Sequence, residues 1–187
     1  MSLILGILDS TGAAASTSSY ESIASATGTG SSGTITFSSI PATYSHLQIR
    51  CNARTDAGFS SDFIQFRINS DSGANYTYHG LEGDGSAASA FAGTGETVAL
   101  GTTITGASAS ANIMGSAIID FIDYATTTKY KTVRHFGGTD RNGTGATRLQ
   151  SNLWLNTSAI STITITSFRS ANWTTSSTFA LYGIKGA

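Results

Sequence analysis

Apolar and polar residues alternate with a period of two along most of the chain. In residues 45–54, Leu47, Ile49, Cys51 and Ala53 share one face, while His46, Gln48, Arg50, Asn52 and Arg54 share the other. That is the pattern of a half-buried strand. Residues 63–69 set Ile64, Phe66 and Ile68 together, and residues 161–166 alternate Ile with Thr, as a strand with one wet face does. Further strand-like runs cover residues 33–37, 76–81, 113–121, 130–136, 147–155 and 177–184. Turn-forming clusters separate them, including Asn69-Ser70-Asp71-Ser72-Gly73, Gly83-Asp84-Gly85 and Arg141-Asn142-Gly143. Residues 83–111 are rich in Gly, Ala and Ser with weak periodicity. They read as a long loop holding one short strand near residues 97–100. No helical pattern is present. Eight to ten strands at this spacing predict an all-β protein, an antiparallel two-sheet β-sandwich and most readily a jelly roll.

Residues 1–19 break the alternation. Leu3, Ile4, Leu5, Ile7 and Leu8 form an apolar block that ends at Asp9, followed by a run of small residues from Thr11 to Ser19. The block has no positively charged lead and is too short to span a bilayer, so it reads as neither a secretion signal nor a membrane helix. The second stretch has the composition of a linker. The expected division is an N-terminal arm and linker, residues 1–19, and one β-sandwich domain, residues 20–187. A peptide as apolar as residues 3–8 needs burial, and adding a strand to a sheet edge is a common route. Leu3, Ile4, Leu5, Ile7 and Leu8 are therefore the expected partner-binding residues. The competing reading makes them an edge strand of their own domain.

Composition narrows the function classes. The chain has 187 residues, 40% apolar and 11% charged, enough to bury a core as one domain. Ten Lys+Arg against 11 Asp+Glu leave a net charge of −1, without the basic face expected for nucleic acid or the polybasic patch expected for a membrane surface. One cysteine, Cys51, excludes an intramolecular disulfide framework.

No constellation specifies a reaction. His46, His79 and His135 each lie inside a strand-like run, without metal-ligand spacing, and read as satisfied surface or interface side chains. Cys51 falls on an inward face and reads as a small hydrophobe. Asp120 and Asp123 bracket a strand end, and residues 69–73 hold a fragment of a calcium loop that a plain turn explains as well. Trp154 and Trp173 read as core or interface packing, with a sugar-stacking platform as the competing use. Sequons at Asn75, Asn142, Asn156 and Asn172 are what chance gives in a Ser/Thr-rich chain. No catalytic, cofactor-binding or metal-binding residue is expected.

Several segments resemble a known group. They are Tyr20-Glu21-Ser22-Ile23-Ala24, the run from Ile35 to Arg50, Phe66-Arg67-Ile68-Asn69 with Asp71 to Tyr76, residues 120–132, and Thr178-Phe179-Ala180-Leu181-Tyr182-Gly183-Ile184. Together they resemble small β-sandwich structural proteins of tailed-bacteriophage virions. Ile4-Leu5-Gly6-Ile7-Leu8 resembles a short N-terminal motif on several phage structural proteins. The resemblance spans most of the chain outside residues 83–111 and carries no catalytic signature. It implies a non-enzymatic virion protein assembled in the host cytoplasm, with no cofactor. In that reading it is a capsid decoration (cement) protein, a homotrimer bound to the major capsid protein on the outside of the phage head. The alternative is a tail or fibre protein with a glycan-binding jelly roll. A carbohydrate-active enzyme ranks last, because it needs two carboxylates facing across a cleft and no pair stands out.

Overall fold

The computed structural model describes residues 18–186. Among them are twelve strands and no helix. In chain order these are β1 (Tyr20–Thr27), β2 (Thr34–Phe37), β3 (His46–Ala53), β4 (Ser61–Ile68), β5 (Tyr76–Gly83) and β6 (Ala88–Glu96). There follow β7 (Ala99–Thr105), β8 (Gly115–Phe121), β9 (Lys131–Asp140), β10 (Gly145–Trp154), β11 (Ile163–Ser167) and β12 (Thr178–Ile184). They form an eight-stranded sheet, β1-β12-β3-β8-β9-β10-β5-β6, and a four-stranded sheet, β2-β11-β4-β7. Every strand pairing is antiparallel. The expected all-β architecture of two antiparallel sheets is therefore present, consistent with a β-sandwich; the strand order does not single out a jelly roll. The arm residues Leu3, Ile4, Leu5, Ile7 and Leu8 lie outside the described residues.

The alternating runs do what their pattern dictates. Leu47, Ile49 and Ala53 of β3, Ile64, Phe66 and Ile68 of β4, and Ile163 and Ile165 of β11 meet in one core between the sheets. Aromatic edge-to-face pairs close it, Phe66 on Phe121 at 5.5 Å and Trp173 on Phe179 at 5.1 Å between ring centroids. Between β9 and β10 the Asn142-Gly143 pair takes positive φ at both positions (60° and 98°), the geometry of a two-residue hairpin turn.

Residues 83–111 depart from the expected long loop. They hold two full strands, β6 and β7. Alternation in β6 is hidden because its alternate positions are Ala, Ser and Gly, with Phe91 as the one large apolar side chain. In β7 six of the seven residues from Ala99 to Thr105 are buried but several are Thr, so hydropathy marks neither face.

The β9–β10 part of the eight-stranded sheet turns polar side chains inward. Arg148, Gln150 and Asn152 of β10 and His135 of β9 are buried. Gln150 Nε2 and Asn152 Nδ2 both donate to the Leu100 carbonyl of β7, at 2.8 and 3.0 Å. Arg148 pairs with Glu82 of β5 (Nη2 to Oε2, 2.7 Å) and donates to the Gly101 carbonyl. Its guanidinium lies over the rings of Phe63 and Phe91, at 4.7 and 4.2 Å from their centroids. Backbone closeness is needed here as well. A Cβ on Gly137 would lie 2.3 Å from the Ser116 carbonyl oxygen and 2.7 Å from a methyl carbon of Thr102 in the opposite sheet.

Topology ties the two ends of the chain together. Among the described residues β1 pairs only with β12, and β2 only with β11.

Candidate binding surface

Inward polar side chains have a consequence on the outside. Side chains alternate across a strand, so burying Arg148, Gln150, Asn152 and Trp154 of β10 forces Leu149 outward. Phe136 follows His135 outward on β9, Ile118 precedes the buried Ile119 on β8, and Leu81 sits between Gly80 and Glu82 on β5. The strand registers then align these four. Leu81 pairs with Leu149, Leu149 with Phe136, and Phe136 with Ile118. The result is an unbroken row of large apolar side chains across four neighbouring strands. They are 58%, 56%, 54% and 41% exposed, in that order. With strands about 4.8 Å apart, the row is about 14 Å long. The other exposed large apolar residues, Tyr20, Phe59, Tyr130, Leu155 and Phe168, sit at strand ends or in loops.

Polar groups frame the row. One flank is the register His79–Ser151–Arg134–Asp120–Gln48. Asp120 there accepts from Gln48 Nε2 at 2.7 Å, and Gln48 Oε1 accepts from Arg50 Nε at 2.7 Å. Arg50 continues the row beyond Ile118, its guanidinium between the rings of Tyr20 and Tyr182. The other flank is a register of small residues, Gly83–Thr147–Gly138–Ser116, which floors a trough of about 720 Å³ walled by Phe136, Asp84 and Asp140. A second trough, of about 700 Å³, runs beside Leu81, Leu149 and Phe91. An apolar centre with a polar rim is the anatomy of a protein-binding patch.

The residues singled out in the sequence are dispersed. His46 caps a turn by accepting from the Asp123 backbone N–H at 3.0 Å, and His79 is exposed on β5. His135 is no surface histidine. It is 2% exposed, because its strand turns it toward Asn152, whose Oδ1 lies 3.0 Å from Nε2. Burial pushes its pKa down to about 4. Cys51 is buried, and burial pushes its thiol up to about 12. Among the described residues no cluster of His, Cys, Asp or Glu is arranged to hold a metal ion. Asp71 spends its carboxylate on Gly73 N–H, Asn75 Nδ2 and Trp154 Nε1. Burial raises its pKa, but those donors outweigh burial and hold it below the ordinary value. Trp154 and Trp173 are both buried, which removes them as a sugar-stacking platform.

The row itself went unnoticed in the sequence. Its signal is the juxtaposition of large apolar residues with buried-side polar neighbours, as in Arg148-Leu149-Gln150 and His135-Phe136, and it becomes legible only once the register is known. No family model, curated protein or solved structure matches the chain.

Proposed function

We propose that this chain is a non-enzymatic structural protein of a phage particle, a capsid decoration protein that lies with its eight-stranded sheet on the outer surface of the head. The observation that carries this reading is the row Leu81–Leu149–Phe136–Ile118 on the broad face of a rigid sheet. Large apolar side chains in register, framed by polar groups, suit a flat protein partner such as the major capsid protein. Full burial of one such side chain is worth about 1.5–3 kcal/mol; for four already half covered, a few kcal/mol remain before association costs. That is modest for one copy and adequate for a homotrimer that binds at several points at once. The alternative, a glycan-binding tail protein of jelly-roll type, has lost its tryptophans to the core. It keeps the troughs beside Phe136 and beside Leu149.

The test pairs particles purified from the encoding virus with the double variant Phe136→Ser, Leu149→Ser. The expected result is hundreds of wild-type copies per particle. The variant should fold with unchanged circular dichroism and fail to co-sediment with undecorated heads. A few copies per particle, or a variant that co-sediments as well as wild type, would overturn the reading.

A further inference from the structure

We infer that Arg50 is a carboxylate-binding fork, which takes an aspartate or glutamate side chain of the protein partner that the apolar row meets. The inference rests on the reading of that row as the partner-facing surface, and it adds the chemistry the partner must present beside it.

Arg50 differs from the arginines that serve the fold. Arg54 commits both terminal nitrogens to the backbone carbonyls of Ala107, Ala109, Ser110 and Ile113. Arg148 is buried and paired with Glu82. Arg50 is exposed on the outward side of β3. Among the described residues it has no ion-pair partner, and its one hydrogen bond uses Nε, leaving Nη1 and Nη2 to an incoming group.

The side chain is nevertheless held in place. Nε donates to Gln48 Oε1 at 2.7 Å, and Gln48 is itself buried and anchored by donating from Nε2 to Asp120 at 2.7 Å. The guanidinium lies 5.3 and 5.5 Å from the ring centroids of Tyr20 and Tyr182, which meet edge to face. A long side chain ordered in the free protein has little freedom left to lose on binding. Its planar fork matches the two oxygens of a carboxylate.

Register fixes where that carboxylate belongs. Arg50 pairs with Ile118 and so follows it in the row Leu81–Leu149–Phe136–Ile118. Two strand spacings, about 10 Å, separate it from Phe136. Arg50 also lines the trough of about 720 Å³, which gives an acidic side chain room to approach. Asp84 and Asp140 line the same trough and repel a carboxylate from the rest of it. The complementary partner therefore sets apolar side chains on Leu149 and Phe136, with an acidic one about 10 Å further along. A nucleic acid would ask for a basic face, and a net charge of −1 supplies none.

The test uses undecorated heads of the encoding virus and full-length chains. Arg50→Gln should keep the wild-type circular dichroism and bind heads about ten- to a hundredfold more weakly. Tyr20→Leu should weaken binding about two- to fivefold, and Tyr20→Phe, which keeps the ring, should restore it. Arg50→Lys replaces the fork by an amine that a water-soluble carbodiimide can couple to a touching carboxylate. Bound to heads at saturating concentration, that chain should form a cross-link that mass spectrometry locates between position 50 and an aspartate or glutamate of the head protein. Wild-type affinity in Arg50→Gln, or a bound Arg50→Lys chain that forms no such cross-link, would overturn the inference and leave the decoration reading standing. A wild-type chain that does not bind heads would overturn both.

Discussion

Lowering the pH from 7 to 5 should destabilise this protein through one side chain, His135. Its ring is buried on the inner face of β9, and burial, although opposed by the bond to Asn152, pushes its pKa from 6.5 down to about 4. In the unfolded chain the ring regains its ordinary value. Between pH 6.5 and 4 the unfolded state therefore holds a proton that the folded state lacks, and stability falls as pH falls. The slope is about 1.4 kcal/mol per pH unit, so about 2 kcal/mol is lost by pH 5 and about 3 kcal/mol by pH 4. Carboxylates act lower. Asp71 and Asp123 are held below the ordinary 3.8, the latter chiefly by Lys129, so their contributions disappear only as pH falls below that value. Urea unfolding at pH 7, 6 and 5, followed by the fluorescence of buried Trp154 and Trp173, gives the slope. His135→Gln keeps a group that can reach Asn152 and removes the titration. It should cost stability at pH 7 yet flatten the pH dependence by more than half. Equal slopes in the two proteins would refute the argument.

Three further outcomes are expected. Asp71→Ala orphans the Trp154 indole N–H, now bonded at 2.7 Å, and should cost about 1–3 kcal/mol in urea unfolding. Gly137→Ala drives a methyl into the Ser116 carbonyl and Thr102, and should cost a similar 1–3 kcal/mol, roughly, read as a lowered melting temperature. Cys51, buried with its thiol pushed up to about 12, should be inert to a thiol reagent at pH 8 in native buffer and react fully in urea.

Where one face of a strand is aliphatic and the other wet, the chain announces its fold. Leu47, Ile49, Cys51 and Ala53 turn inward as their spacing requires, as do Ile64, Phe66 and Ile68, and Asn142-Gly143 makes its hairpin. β10 defeats the same reasoning. Its buried positions are Arg148, Gln150, Asn152 and Trp154, while Leu149 faces water. The polar side chains are tolerated inside because Glu82 and the carbonyls of Leu100 and Gly101 meet them. Those partners lie 47 to 66 residues away in the chain, so local hydropathy carries no trace of them. β6 fails differently, because Ala, Ser and Gly give too little contrast to show a period. The candidate row inherits both failures. It exists only as a cross-strand register, and each of its members alone looks like an ordinary core residue.

The pairing of β1 with β12 and of β2 with β11 also sets a timetable for synthesis. A ribosome makes residues 20–37 well before residues 163–184, yet among the described residues their only strand partners are residues 163–167 and 178–184. Until residues 163–184 leave the exit tunnel, β1 and β2 lack the partners they have among the described residues, and β3 lacks β12 beside it. At about 5–20 residues per second, the gap of about 140 residues is a wait of seconds to half a minute. Closure of both sheets is therefore dominated by long-range pairings, which make such topologies slow. Through that interval a chain with little charge must hold unpaired strands in solution. Its dependence on chaperones should be greatest there, and a stop codon placed just before β12 should be as damaging as one placed far upstream.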